Sequence, residues 1–160
     1  MRGALFTMIV IGSAIGFLWP IEKRGAPAAA AADAEEAYVK PHDTTLARAA
    51  NGHFYADALV NKKMIHFVVD TGATDVALTI DDAHLLGLKF DPAHFEVVGT
   101  GASGAVMGQE VSLSEVSLDG KRAYGVKGVV LQGLAVSLLG QNYLRQLRGV
   151  QIDGDTMTLR

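Results

Sequence analysis

Hydrophobic and polar positions along the chain fall into two regimes. The first is an uninterrupted uncharged run over residues 3–21 (GALFTMIVIGSAIGFLWPI), opened by Arg2 and closed by Glu22, Lys23 and Arg24. No polar face interrupts it, so it does not pattern as a helix laid on a soluble core. At 1.5 Å per residue its 19 residues span about 28 Å, close to the hydrocarbon thickness of a bilayer. Trp19 sits near its end, where an amphipathic ring prefers the headgroup level. Residues 1–24 therefore read as a transmembrane anchor. The competing reading is a cleaved signal peptide with its small-residue site in residues 28–32, beyond Pro20 and the charges that follow. Arg2 opposes Lys23 and Arg24, so positive charge does not orient the span. Residues 25–49 begin Ala-rich, with Pro27 and three acids, and read as a linker.

The second regime starts near Ala50 and consists of short runs rich in β-branched residues, separated by turn signals. Residues 54–60 and 64–69 predict two strands around an Asn61-Lys62-Lys63 turn, and residues 76–79 a third. Asp81 and Asp82 are placed to cap a helical turn through Leu86, closed by Gly87. Residues 95–98 and 106–118 predict strands on either side of a glycine-rich tip. Asp119-Gly120 is a two-residue hairpin signal leading into residues 122–131. Leu139, Tyr143, Leu144 and Leu147 share one side of a short helix over residues 140–147. Residues 150–152 and 157–159 flank a last turn, Asp153-Gly154-Asp155. The pattern predicts one mostly-β domain over residues 50–160, without βαβ alternation or internal repeat.

Composition narrows the chemistry. The 160 residues include no cysteine, which removes disulfide scaffolds, Cys-ligated metals and thiol catalysis. A formal net charge of −3, from 14 Lys+Arg against 17 Asp+Glu, argues against an electrostatic nucleic-acid binder. The histidines at 42, 53, 66, 84 and 94 show no metal-ligand spacing, and no metal or cofactor is expected. His66 lies in an apolar strand run, where a lone histidine is usually structural.

Two short motifs remain. Gly99-Thr100-Gly101-Ala102-Ser103-Gly104 fits the dinucleotide pattern GxGxxG letter for letter. That pattern binds pyrophosphate only where a helix follows it. Here AVMGQEVSLSEVSL follows, which favours a strand, so a glycine-rich hairpin tip explains the segment better. The other motif is Asp70-Thr71-Gly72-Ala73, directly after the apolar run HFVV. Chance would give DTG followed by Ala or Ser in roughly one chain in a hundred of this length. An ionised carboxylate ending a buried strand needs compensation. Gly72 allows backbone N–H groups to approach, and the Thr71 hydroxyl is a further donor.

With its flanks, the chain resembles the retropepsin-like aspartic peptidases, in particular their bacterial membrane-tethered members. HFVVDTGATDVALT (residues 66–79) resembles the active-site strand and loop. The glycine-rich hairpin stands where the family carries its flap. AVSLLGQNYLRQL (residues 135–147) resembles the apolar pair and glycine that lead into a short helix. Gln141-Asn142 departs from relatives that carry Arg followed by Asp or Asn, which puts the family's helix-linked ion pair in doubt. The resemblance implies an all-β fold: a single-lobe closed β-barrel with one short helix, acting as a homodimer.

It also implies function. Aspartic peptidase chemistry sets two carboxyl groups across one water, one as base and one as acid. One DTG per chain then requires two chains, each contributing Asp70. Asp70 is the expected catalyst, Thr71, Gly72 and Ala73 its support, and residues 99–104 a flap over an extended polypeptide substrate. The alternative is a non-catalytic module of the same fold that dimerises or binds peptides. The resemblance places the domain on the periplasmic face of a bacterial inner membrane, or, with signal cleavage, outside the cell.

Overall fold

The computed structural model describes residues 39–101 and 104–160; the segment read as an anchor, most of that read as a linker, and Ala102 and Ser103 of the glycine-rich segment lie outside them. Strand β2 (Tyr55–Val60) alternates, burying Ala56, Ala58 and Val60, and β3 (Lys63–Val69) does the same with Ile65, Phe67 and Val69. This period of two places one face of the hairpin on the core. The Asn61-Lys62 turn takes positive φ, 48° and 70°, at two residues that carry side chains. Asn61 offsets that strain: its Oδ1 accepts from the N–H groups of Ser114 and Glu115 at 2.8 and 3.2 Å.

Strands β4 (Val76–Leu78), β5 (Glu96–Gly101), β6 (Gly104–Leu118), β7 (Lys121–Leu131) and β8 (Ser137–Leu139) complete one sheet, ordered β2-β3-β8-β4-β7-β6-β5. A second pairing of β2 with β6, through Leu59–Ser117 and Val60–Val116, closes the first six of these strands into a barrel. Only β5 hangs outside, on β6. The β3–β8 and β4–β7 pairs are parallel, which brings the end of β3 beside the end of β8. The barrel interior is filled by Ile65, Phe67, Leu78, Leu113, Leu139 and the ring of Tyr143. A smaller sheet, β1-β10-β9, joins β1 (Thr44–Ala47), β10 (Thr156–Leu159) and β9 (Val150–Asp153).

Three expectations change. Strand β1 lies inside the segment read as linker, so the fold starts before residue 50; all four of its residues pair with β10. Among the described residues there are two α-helices rather than one: α1 (Ile80–Leu86) is the longer, and α2 (Gln141–Leu144) is a single turn. The helix expected through Leu147 stops early because the chain is captured by the small sheet, with Arg148 N–H donating to Arg160 O and Arg160 N–H to Gly149 O. Finally, Thr79 caps α1, its hydroxyl accepting from Asp82 N–H at 3.0 Å. Asp81 and Asp82 instead occupy the first turn, where negative charge suits the helix dipole.

Candidate active site

Strand β3 delivers Asp70. The Val69 N–H donates to Phe54 O and the Asp70 N–H to Leu139 O, so the residue is anchored to β8 as the chain leaves the sheet. Its half-buried carboxylate accepts from the Gly72 N–H at 2.8 Å. A Cβ at Gly72 would stand 3.2 Å from Asp70 Oδ1, so the glycine keeps open the space the carboxylate uses. Ala73 N–H closes the turn onto Asp70 O at 3.3 Å. Compensation therefore comes from Gly72. The Thr71 hydroxyl, expected to share that task, has no partner among the described residues of one chain. The part of Thr71 that is held is its carbonyl, which accepts from Gln141 Nε2 at 2.9 Å.

The loop after Asp70 is clamped by the start of α2. Gln141 N–H donates to Ala73 O at 2.8 Å and Asn142 N–H to Thr74 O at 2.9 Å. The Asn142 side chain uses both ends: Oδ1 accepts from Val76 N–H at 3.0 Å, and Nδ2 donates to Asp75 Oδ1 and Lys127 O at 3.1 and 2.7 Å. Such close approach needs Gly140, where a Cβ would sit 2.2 Å from Asp75 O. Lys127 links Asp75 at 3.3 Å to Glu110 at 2.6 Å, and hydrogen bonding to Glu110 first, then to Asp75, holds its ammonium above the ordinary lysine range. At Gln141-Asn142 the helix start holds the loop through side-chain amides, and beside it Asp75 pairs with Lys127 of β7. Asp75, Lys127 and the role of Asn142 were not visible in the sequence. The one available signal was a polar pair directly after an apolar Leu-Leu-Gly.

Asp70 opens onto a depression of about 410 Å³ lined by Tyr55, Val68, Leu134, Ala135, Val136 and Leu138 among others. Leu134, Ala135, Val136 and Leu138 form its apolar wall. Val76 and Leu78, on the strand after the Asp70 loop, are fully buried in the core and do not line the depression. His66 faces outward: it stacks on Tyr55, centroids 5.1 Å apart, and pairs with Asp57 at 2.6 Å.

The hairpin that follows is built differently. Gly99 pairs with Val106, Thr100 with Ala105 and Gly101 with Gly104, after a bulge between Val97 and Gly99. Gly99, Thr100, Gly101 and Gly104 are all exposed, and β5 pairs with β6 alone. Gly104, with φ 109°, opens a strand of 15 residues rather than a helix. The segment therefore lacks the helix N-terminus that dinucleotide binding requires.

Residues 56–146 match the family model described as gag-polyprotein putative aspartyl protease. An uncharacterized protein of Rickettsia prowazekii (strain Madrid E) is 38% identical over 115 residues, covering 71% of this chain and 49% of that one. An uncharacterized protein in the cobV 5' region of Sinorhizobium sp is 34% identical over 125 residues, covering 74% and 52%. The chain thus spans about half the length of these relatives. Among solved structures, a retropepsin-like aspartic protease from Rickettsia conorii superposes with a TM-score of 0.63 at 39% identity, over 74% of this chain and 90% of that one.

Proposed function

The chain belongs to the gag-polyprotein putative aspartyl protease family, and from that premise we propose that it is an aspartic endopeptidase whose catalytic pair is Asp70 of two identical subunits. The observation that carries this reading is the carboxylate itself: it is anchored by Gly72 N–H at 2.8 Å and opens onto an apolar depression. Two carboxyl groups facing each other across one water hold a single proton between them. The ionised one takes a proton from the water as it attacks the peptide carbonyl, and the protonated one donates to the carbonyl oxygen. A single chain supplies only half of this, so a C2 homodimer completes the site. In the dimer, the free Thr71 hydroxyl bonds the partner loop across the axis.

The edge of the small sheet supports the dimer. Strand β9 is terminal in the order β1-β10-β9, and its Ile152 is 50% exposed. An unpaired edge with an apolar side chain is a template for strand addition. Two such edges pairing across a two-fold axis would give one continuous sheet. Substrate lies extended in the depression, with residues 99–104 closing over it to exclude water and orient the scissile bond. Residues 3–21 tether the domain to a bacterial inner membrane, with the domain on the periplasmic side. Among the described residues no helix is long and apolar enough to cross a membrane.

The test is Asp70→Asn in the full chain, assayed against a peptide library. Hydrolysis should fall by at least about 10²–10⁴-fold, the usual contribution of one acid–base group. Sedimentation should still report a dimer, because the amide oxygen of the new side chain can accept the same Gly72 N–H. Cleavage retained in the variant, or a wild type monomeric at every concentration, would sink the reading.

A further inference from the structure

Away from the Asp70 loop, a second cavity of about 320 Å³ gathers positive charge. Lys121, Arg122, Arg148 and Arg160 line it together with His42, and Tyr143 is also in the wall; among the described residues no Asp or Glu lines it. The chain carries a net charge of −3, so this concentration of cations runs against its overall balance. The nearest carboxylate engages Arg148 and Arg160 only loosely. Asp43 serves two guanidinium groups at once, Arg160 at 3.5 Å and Arg148 at 3.8 Å, both longer than a charge-assisted hydrogen bond of about 2.8 Å. Glu115 stands 3.4 Å from Arg122, and Asp119 is hydrogen-bonded by Thr44 Oγ1 at 2.5 Å. Lys121 donates to His42 O and Thr44 Oγ1, which leaves one of its three N–H groups for another acceptor. Burial pulls its ammonium below the ordinary lysine range even though Asp119 and Asp43 oppose that shift.

We propose that this cavity binds a phosphoryl group, carried either on a soluble phosphate monoester or on a lipid headgroup. A planar carboxylate offers two oxygens in one plane. A phosphate monoester presents three terminal oxygens and up to two charges, which suits the Arg148 and Arg160 guanidinium forks and the Lys121 ammonium that line this one cavity. The walls are fixed on elements that do not depend on the ligand. Tyr143 is fully buried and donates to Lys121 O at 2.7 Å, tying α2 to the start of β7. Arg148 and Arg160 are held side by side by the backbone bond from Arg148 N–H to Arg160 O at 2.7 Å. This inference goes beyond the peptidase reading and does not rest on it.

The experiment titrates the full chain in detergent with inorganic phosphate, glycerol phosphate and a short-chain phosphatidic acid, with the matching short-chain phosphatidylcholine as control. Binding should be seen for at least one phosphate monoester or for inorganic phosphate, and not for the choline lipid. Preference for the soluble probes assigns a soluble ligand; preference for phosphatidic acid assigns a headgroup. Arg148→Gln and Arg160→Gln should each weaken binding by roughly ten-fold or more, the loss expected for a hydrogen bond to a charged group. Arg148 is 82% exposed, so its replacement leaves the fold intact. The Asp70→Asn chain should bind as the wild type does, which separates this result from the fate of the peptidase reading. Absence of binding by all three phosphate probes, or binding unchanged in the two arginine variants, overturns the proposal.

Discussion

Two glycine-containing segments of this chain look alike in sequence and differ in the structure. Around Asp70, glycines mark places of close approach: Asp75 O lies 2.2 Å from the Cβ position of Gly140, too near for any side chain, and Asp70 Oδ1 lies 3.2 Å from that of Gly72, a tight contact. In the hairpin tip, Gly99 and Gly104 have nothing within 4 Å of theirs. One set of glycines permits close packing; the other leaves backbone in open space. The first segment is tied to β8, α2 and β7 by hydrogen bonds, whereas β5 is bonded only to β6. Few buried contacts and solvent-exposed ladder bonds are the marks of a segment that opens at low free energy. A peptidase of the proposed kind uses both properties, a fixed carboxylate and a cover that moves.

The contrast breaks most visibly at Gly140. In Gly140→Ala the new methyl meets backbone, not the end of a flexible side chain, so either α2 or the Asp70–Asp75 loop must shift. Overpacking of this kind costs about 3 kcal/mol or more. Urea unfolding should show the loss, and peptide hydrolysis should fall with it. A variant as stable as the wild type would mean the clamp is not tight.

Next in size is Asn142→Ala, which removes the acceptor for the N–H of fully buried Val76 and the donor to Asp75. An orphaned buried N–H together with a lost side-chain bond costs about 2–3 kcal/mol. Asp70 keeps its own bonds to Leu139 and Gly72, so the loop is loosened rather than lost. Turnover at saturating substrate should drop about 10²-fold, as expected for a reacting group displaced by about an ångström. Turnover that is unchanged while stability falls would show that α2 supports the barrel and not the carboxylate.

The same contrast explains what the sequence made legible. The hairpin turns at Asn61-Lys62 and Asp119-Gly120, the Asp70 strand and the strand after Gly104 could be read because their signals are local: turn chemistry, alternation, and a run of β-branched residues. What could not be read depends on partners distant in the chain. Residues 44–47 form a strand only because β10 lies beside them, 109 or more residues later. Ser137–Leu139 is too short to show a period, yet it pairs with both β3 and β4. Barrel closure rests on two residue pairs between β2 and β6. At the site, Asp70 announced itself by its motif, while Asn142 acts on the Val76 N–H and the Lys127 carbonyl and Lys127 on the carboxylates of Asp75 and Glu110, contacts between distant segments that no motif records.

The smallest effect on stability, and the most informative about the hairpin, belongs to Gly99→Ala. Gly99 has no positive φ, and open space surrounds its Cβ position, so the folded chain accepts the methyl without strain. The unfolded chain loses some backbone freedom, and the net change should stay within about 0.5 kcal/mol of zero or favour folding slightly. Gly104 is the control: its φ of 109° is closed to alanine, so Gly104→Ala should destabilise the hairpin where Gly99→Ala does not. If the hairpin acts by closing over substrate, Gly99→Ala stiffens that movement, and kcat/KM should fall several-fold with unfolding unchanged. The pairing of those two readouts matters more than either alone. A loss of about 2 kcal/mol in Gly99→Ala, well beyond the range of an ordinary surface substitution, would show that the tip is packed against something in the working assembly, and the division between a fixed loop and a free cover would not hold.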